Sequence, residues 1–238
     1  MFRRDAMTLA RANAILLIVA ATSFALAPTA SPSTHRSRAL LFVGANGTSI
    51  TEPSYRHFDD VHPRLGFRAG LLFSSPVSPV LILDAGFLMD ERRVSTAGTW
   101  TIALPDAEPR DFEHDYVLQY ITFPLRGRIC LSTNSTAPYI VLGPELSILM
   151  TAKATDDEGD ELDLSHCAEQ YSFGLYGGVG IGSRSARHGS FLLELGFAQA
   201  LTSVGEPGPC TCVPVPSSVS CLQDCRTRSI VLAAAFVL

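Results

Sequence analysis

Five charged residues are the first candidates for chemistry, because each interrupts a segment of otherwise apolar or small residues. They are Arg68, Asp84, Arg126, Glu145 and Glu194. Two arginines and three carboxylates at a similar depth in a protein can neutralise one another, whereas a buried charge without a partner costs on the order of several kcal/mol. Glycines that alternate with them leave room for such a network. These residues therefore predict charge pairing in an interior, not catalysis.

The histidines provide the main catalytic alternative. All six are predicted to lie in tails, loops or turns, at His35, His57, His62, His114, His166 and His188. An enzyme that cleaves membrane lipids needs a nucleophile and a base on neighbouring strands. Only His114 and His166 are expected to approach each other, beside Asp111, Asp115 or Asp163. Because loop histidines are usually solvated, we predict that the protein has no catalytic residues and is not an enzyme.

Four of the six cysteines lie in a Pro- and Ser-rich stretch near the C-terminus, at Cys210, Cys212, Cys221 and Cys225. In an oxidising compartment such a group forms disulfides, and we predict that these four pair among themselves. A zinc site is the alternative, but the C-x-C and C-x3-C spacings differ from the common C-x2-C pattern. We therefore predict no metal and no cofactor. Cys130 and Cys167 are predicted to lie at opposite ends of the molecule, too far apart to bridge.

A short acidic segment is a possible calcium site. It contains Asp156, Asp157, Glu158, Asp160 and Glu161. Its spacing differs from that of an EF-hand loop. A solvated charge run is therefore the preferred interpretation, and calcium binding is kept as the alternative.

The elements that position these residues show an alternation of apolar and polar side chains with a period of two, which is typical of half-buried strands. Segment 64–73, for example, places Leu65, Phe67 and Leu71 on one face and Arg64 and Arg68 on the other. Eight such segments are predicted, at 38–46, 64–73, 80–92, 116–129, 138–150, 171–182, 190–201 and 228–238. The protein is therefore predicted to be all-β.

The connections between the segments alternate between long and short. The long connections fall near 47–63, 93–114, 153–169 and 203–226, and the short ones near 74–79, 131–137 and 183–189. This places the long loops at one end and the turns, with both termini, at the other. An eight-stranded antiparallel up-and-down transmembrane β-barrel of the bacterial outer membrane has this arrangement.

The composition of the two strand faces supports this orientation. The apolar face contains almost no charge, whereas the other face contains Gly, Ala, Ser and Tyr with isolated charges, which fits a lumen. A secreted or periplasmic soluble barrel or sandwich, with its apolar face inward, is the alternative. After residue 30 no stretch is long and apolar enough for a membrane-spanning helix. Pro124 and Pro144 cannot donate to a ladder and therefore predict bulges.

The N-terminus has the features of a secretory signal peptide. Arg3, Arg4 and Arg11 precede an apolar segment of suitable length, and Ala25-Leu26-Ala27 is a possible cleavage motif. We predict a short signal helix within residues 1–30, removed by cleavage, and a barrel domain over 31–238. An uncleaved anchor helix is the alternative. Cleavage after Ala25 or Ala30 fits equally well, since Pro28 directly follows Ala27.

The overall charge argues against one class of partner. The chain of 238 residues has a formal net charge of -5 and no basic run. Nucleic-acid binding proteins carry a basic patch, so nucleic acid is not an expected partner. The expected partners are the lipid bilayer and the outer-membrane assembly machinery, and the protein is expected to be a monomer.

Three strand segments resemble the PorT-like outer-membrane β-barrel family. YITFPLRGRI resembles the family pattern Y-L-E-I-P-L-x-x-K, with Thr122 in the place of Glu and Arg128 in the place of Lys. PYIVLGPELSILM resembles P-Y-x-x-x-G-P-x-L-x-x-L, and FLLELGFAQALTSV resembles the penultimate strand. The resemblance covers about residues 64–238. Leu238, where an aromatic residue is typical, and the cysteine-rich loop depart from it. The family is heterogeneous, so the resemblance implies a fold and no specific activity.

The expected function follows from the size of the barrel. An eight-stranded barrel has an interior that side chains can fill, so an open diffusion pore is not expected. We predict an outer-membrane protein with a side-chain-filled lumen and a structural, adhesive or surface-interaction role. The soluble binding module and the outer-membrane lipid-modifying enzyme are the alternatives.

Overall fold

The computed structural model describes residues 37–51, 60–100, 110–132, 136–156, 158–166, 168–183, 191–205 and 225–238. These residues form nine β-strands. In chain order they are β1 (Arg38–Thr51), β2 (Asp60–Pro76), β3 (Leu81–Trp100), β4 (Arg110–Cys130), β5 (Thr136–Asp156), β6 (Glu161–Asp163), β7 (Tyr171–Ser183), β8 (Phe191–Ala200) and β9 (Arg226–Val237). The predicted signal peptide lies outside the described residues.

The strands form a closed antiparallel barrel. Each strand pairs with its neighbour in the chain, except that β5 pairs with β7 as well as with β4 and the short β6. The barrel closes where β1 pairs with β9, from Leu40 opposite Val237 to Thr51 opposite Arg226. The predicted eight-stranded up-and-down barrel is therefore confirmed. We call the end of the barrel at which β1 begins and β9 ends the turn end, and the opposite end the loop end.

The orientation of the strands is as the alternation predicts, except at Arg64. This residue was predicted to lie on the inner face, but the register shift between Arg64 and Phe67 turns its side chain to the outer face, where it lies near Glu113 and Asp115. The side chains of Leu65 and Ile230 on the outer face are 74% and 63% exposed, whereas Leu88 and Tyr176 on the inner face are fully buried. Large apolar side chains remain exposed on the outer face of all eight barrel strands. A soluble protein would not leave such a continuous apolar surface open to water. The soluble sandwich interpretation is therefore wrong, because the apolar faces do not pack against each other in an interior.

The strands extend further toward the loop end than the alternation predicts. The strands β3, β4 and β5 are 20, 21 and 21 residues long, whereas about 9 to 11 residues suffice to cross a bilayer. The long connections are correspondingly shorter than predicted. Two histidines that were predicted to lie in loops, His62 and His114, lie within β2 and β4. That prediction was wrong because the strands continue beyond the apolar segments.

The two prolines do not create the bulges that the sequence predicts. The ladder between β4 and β5 is interrupted beside Pro124, but its register is the same on both sides of the gap, and Pro144 pairs with Leu175 without a shift. The register shifts lie elsewhere, between Arg64 and Phe67 of β2 and between Gln119 and Tyr120 of β4. Near the two prolines, β4 and β5 lose some of their ladder pairing, and neither strand contains the extra residue that a bulge would need.

The inner face carries two apolar clusters. The turn-end cluster contains Leu40, Phe42, Leu72 and Leu88 with residues from β4, β5, β7 and β9. The loop-end cluster combines strand residues such as Tyr116 with Leu164, Ala168, Val204 and Cys225, which lie outside the long barrel strands. Backbone hydrogen bonds hold these segments together, since the N–H of Leu164 donates to Ala152 at 2.8 Å and the N–H of Val204 to Cys225 at 2.7 Å. No helix of the described residues is long and apolar enough to cross a membrane.

Candidate functional site in the barrel interior

All five charged residues singled out from the sequence are buried on the inner face of the barrel. Four of them meet in one cluster. Glu145 of β5 accepts hydrogen bonds from Arg68 of β2 at 2.8 Å and from Arg126 of β4 at 2.6 Å. Arg126 also lies 3.5 Å from Glu194 of β8. This cluster joins four strands across the lumen.

The fifth predicted residue, Asp84, is not part of that cluster. It pairs with Arg128 of β4, whose Nε donates to it at 3.0 Å, and the hydroxyl of Ser74 also bonds to it. These side chains lie nearer the turn end, beside Tyr139. The expectation that all five residues share one depth was therefore too simple, because Asp84 lies closer to the end of its strand.

The network predicted from the sequence left out three charged residues, although the alternation of apolar and polar side chains also places them on the inner face. Asp90 lies 3.1 Å from the Nε of Arg68, and its other oxygen accepts from the Nε of Arg92 at 2.9 Å. Arg128 pairs with Asp84. The buried inner face thus carries a network of four arginines and four carboxylates, which we call the lumen network: Arg68, Asp84, Asp90, Arg92, Arg126, Arg128, Glu145 and Glu194. Its formal charges cancel.

Neutral polar side chains extend the lumen network. Asn46 of β1 donates to Asp90 at 3.1 Å. Arg92 donates to Thr227 of β9 at 2.9 Å and to Ser147 of β5 at 3.2 Å. These contacts satisfy donors that would otherwise be desolvated at a cost. Residues from both sides of the β1–β9 closure therefore take part in one connected set of hydrogen bonds.

Tyrosine rings cover the arginines. The guanidinium carbon of Arg126 lies 3.8 Å from the ring centroid of Tyr176, and that of Arg92 lies 4.5 Å from the centroid of Tyr120. Cation–π contacts of this kind contribute about 0.5–2 kcal/mol, most when water is excluded. The Tyr176 hydroxyl also donates to Glu194 at 2.6 Å, so one ring contacts both partners of an ion pair.

Two glycines make room for the tyrosines that hold Glu194. A Cβ at Gly196 would collide with the hydroxyl of Tyr176, and a Cβ at Gly180 would collide with the ring of Tyr139. Tyr139 donates to the second oxygen of Glu194 at 3.1 Å. Glycine on β7 and β8 is thus required by the close approach of a ring to the backbone.

Two small cavities adjoin the lumen network, each with room for about one water molecule. Glu145 and Arg92 line the cavity nearer the loop end, with Ser147 and Thr227. Glu194 and Arg126 line the cavity nearer the turn end. The contact between Arg126 and Glu145 lies between them.

The acidic segment beyond β5 forms local contacts of its own. Asp156 accepts from the backbone N–H of Glu158 at 3.1 Å and of Asp160 at 2.8 Å. A hydrogen bond from the Ser165 side chain and one from its backbone lower the pKa of Asp163, and the hydrogen bond to Glu161 raises the pKa of Lys153. Asp157 lies outside the described residues, among which no group of three or more His, Cys, Asp or Glu side chains is arranged to hold a metal.

The predicted disulfide residues are only partly described. Cys225 is buried in the loop-end cluster immediately before β9, whereas Cys210, Cys212 and Cys221 lie outside the described residues. Cys130 is buried at the turn-end limit of β4, and Cys167 is also outside the described residues. The pairing of the cysteines stays a prediction.

The comparison with protein families identifies the kind of barrel. Residues 27–206 match the family described as "outer membrane protein beta-barrel domain". The chain belongs to this family. As an outer membrane protein beta-barrel domain it lies in the bacterial outer membrane. Barrels of this kind generally have their long loops at the cell exterior.

Several solved structures are similar to this outer membrane protein beta-barrel domain. Ail, the attachment invasion locus protein of Yersinia pestis, is 13% identical, with a TM-score of 0.40 and coverage of 85% of this chain and 99% of that chain. Neisserial surface protein A is 10% identical, with a TM-score of 0.44 and the same coverage. OprG from Pseudomonas aeruginosa is 13% identical, with a TM-score of 0.33 and coverage of 85% and 94%. No curated protein matches the chain.

Proposed function

We propose that this outer-membrane barrel has a lumen filled by side chains and serves a structural, adhesive or surface-interaction role without acting as a diffusion pore. The observation that carries the proposal is the lumen network, in which four buried arginines face four buried carboxylates. An open aqueous channel would leave such side chains hydrated and exposed, as in wide porins. Here Arg68 and Arg126 are each only 1% exposed.

The apolar clusters on either side of the central network support a closed interior. The loop-end cluster includes Leu164, Ala168 and Val204, which come from the connections after β5 and β8. Those connections therefore cover the inner face of the long strands. The turn-end cluster lines the opposite end. Solutes would have to displace both clusters and break the ion pairs to cross.

A role at the surface is supported by the strands that continue past the apolar band. On β3, β4 and β5 the outer face changes to polar and charged residues at Glu91, Gln119 and Thr151, which are joined by hydrogen bonds of 3.0 and 3.1 Å. The strands continue beyond this row toward the loop end. A rigid sheet that projects from the membrane can present a surface to other molecules. We infer no ligand for that surface.

Several finer features belong to the same proposal. The resemblance of three strands suggests a PorT-like member of the outer-membrane barrels. The N-terminal residues suggest export through a cleaved signal peptide, and we propose that the outer-membrane assembly machinery inserts the barrel. We propose a monomer, because every barrel strand has both neighbours within one chain.

Conductance of the purified barrel in planar lipid bilayers tests the closed lumen. The wild-type protein is expected to give no steady pore current. The double variant Arg126→Ala/Glu145→Ala removes the central pair and is expected to admit ions. The control is Arg64→Ala/Glu113→Ala, which removes an Arg–Glu pair of the outer face, 3.6 Å apart, and is expected to stay closed. A steady wild-type current would refute the proposal.

Cell adherence tests the surface role. Cells that display the wild-type barrel are compared with cells that display a variant in which Arg93, Lys153 and Glu161 of the projecting sheet are changed to serine. Equal display on both is verified by the gel shift of the folded barrel. Reduced adherence or aggregation of the variant is expected. No difference would leave a structural role within the membrane as the better description.

The enzymatic alternative has a direct test. His114 packs edge to face on Tyr116, with ring centroids 6.2 Å apart, and His166 is exposed beyond β6. We expect no hydrolysis of phospholipid or lipopolysaccharide by the folded barrel in detergent. Hydrolysis that disappears in His114→Ala or His166→Ala would establish an activity and overturn this part of the proposal.

A further inference from the structure

The outer face of the barrel changes from apolar to charged at its loop-end margin, and most charges there are paired. Arg93 lies 2.7 Å from Glu91, Lys153 lies 2.8 Å from Glu161, and Arg64 lies 3.5 Å from Asp115. These pairs occupy the part of the margin formed by β2 to β6. Their charges are largely neutralised within the protein.

The margin at β9 is different. Arg226 and Arg228 are exposed on the outer face, and no acidic side chain among the described residues forms an ion pair with either. The Nε of Arg228 donates to the hydroxyl of Thr51 on β1 at 2.8 Å. This bond fixes the guanidinium against the neighbouring strand and leaves its terminal nitrogens available as donors.

An apolar trough begins directly below these arginines. Its floor is formed by Gly47 and Ala45 on β1, because a Cβ at Gly47 would meet no atom within 4 Å. Its walls are side chains that pair opposite these residues: Leu65 and Phe67 on β2, and Ile230 and Leu232 on β9. All four wall residues are large, apolar and exposed.

We propose that Arg226, Arg228 and this trough bind a phosphorylated lipid of the outer leaflet, with its phosphate on the arginines and an acyl chain over Gly47. Guanidinium groups bind phosphate in a bidentate manner. Basic residues at a membrane surface each contribute about 1 kcal/mol toward anionic headgroups. Along β9 the charged side chains lie at the margin and the apolar side chains lie below it. A phosphorylated lipid in the outer leaflet has its phosphate and its acyl chains in the same order.

A lipid explains the combination better than other occupants. A free phosphate ion would use the arginines but not the trough, and a water-soluble protein could not reach a trough that lies within the hydrocarbon region. The proposal depends on the barrel having its loop end outside. It does not depend on whether the lumen is closed.

Native mass spectrometry of the full-length folded barrel in detergent tests the site. The probes are lipid A with both phosphates, the same lipid after dephosphorylation, and inorganic phosphate. We expect the bis-phosphorylated lipid to bind, and Arg226→Gln/Arg228→Gln to weaken its binding by roughly tenfold or more. Arg64→Gln, which alters an arginine already paired with carboxylates, is the matched control and is expected to leave binding unchanged.

A second variant tests the trough separately. Gly47→Leu fills the floor, and its Cβ would meet no atom within 4 Å. We expect weaker binding of the lipid with unchanged binding of inorganic phosphate. The proposal is overturned if the arginine variant and the control bind lipid A equally, if dephosphorylated lipid binds as tightly as the phosphorylated form, or if Gly47→Leu has no effect.

Discussion

Charged residues occur on both faces of the barrel wall, and the two sets have different surroundings. The side chains of Arg126 and Glu145 in the lumen are 1% and 4% exposed, whereas those of Arg64 and Glu113 on the outer face are 51% and 56% exposed. Both are Arg–Glu pairs between strands. An exposed pair contributes at most about 1 kcal/mol, because water competes for each partner. The lumen pair is almost fully buried, so a charge that loses its partner there is left desolvated at a larger cost.

The largest expected effect follows from removing a charge of the lumen network. Arg126→Ala deletes the group that contacts both Glu145 and Glu194, and it is expected to destabilise the barrel by about 3–5 kcal/mol. Urea unfolding in lipid vesicles, followed by the gel shift of the folded barrel, measures this. The control Arg64→Ala is expected to cost about 1 kcal/mol or less. Equal losses for the two variants would mean that the lumen is hydrated.

A charge placed on the lipid-facing surface is expected to have the next largest effect. Leu232→Arg moves an arginine into the apolar band two positions below Ile230, and it is expected to cost about 2–4 kcal/mol. The same unfolding assay applies. Ile230→Arg lies next to Arg228 at the margin and is expected to cost less, because the penalty falls near the interface. If both substitutions are neutral, the outer face does not contact hydrocarbon.

A single added methyl group tests the packing of the lumen network without changing a charge. In Gly196→Ala the new Cβ meets the Tyr176 hydroxyl, which must move away from Glu194. Loss of that buried hydrogen bond is expected to cost about 1–3 kcal/mol. Gly47→Ala makes the same change in open space and is expected to be neutral or stabilising by about 0.5–1 kcal/mol. Unfolding in urea separates the two, and a neutral Gly196→Ala would show that the tyrosine position is not essential.

The smallest effect is expected at the exposed acidic segment. Hydrogen bonds from Ser165 lower the pKa of Asp163, so their contribution is present above its ordinary pKa and is lost as the pH falls through the lowered value. The protection of the Ser165 amide against hydrogen exchange, taken relative to the intrinsic rate at each pH, is expected to fall over that range while the barrel stays folded. Asp163→Asn keeps an acceptor that does not titrate and is expected to remove the pH dependence. Unfolding of the barrel in the same range would contradict this separation.

The fold was largely predictable because the membrane imposes a strict alternation on each strand. Leu65, Phe67 and Phe73 alternate with Arg68, and this pattern determines the face of β2 that looks outward. Where the strands leave the membrane, the alternation weakens although the ladder continues. The sequence therefore predicted a loop at His114, whereas in the structure His114 pairs with Thr96 of β3 and Asp156 of β5.

The membership of the lumen network was harder to predict than its face. The alternation places Asp90, Arg92 and Arg128 on the inner face, but it contains no information about which charges meet across the lumen. That depends on the stagger between strands, such as the shift at Gln119 and Tyr120. The same limit explains why Asp84 was grouped with Glu145 although it pairs with Arg128.

The seam between β1 and β9 joins strands from opposite ends of the sequence, down to the N–H of Leu238, which donates to Ala39 at 2.9 Å. Such a contact forms only after a very long stretch of chain has been ordered, and contacts of this kind make folding slow. Closure of the barrel therefore has to wait until β9 has been synthesised. Before that moment the unpaired edges of β1 and of the other strands can pair with other chains, so the unclosed barrel needs protection from aggregation.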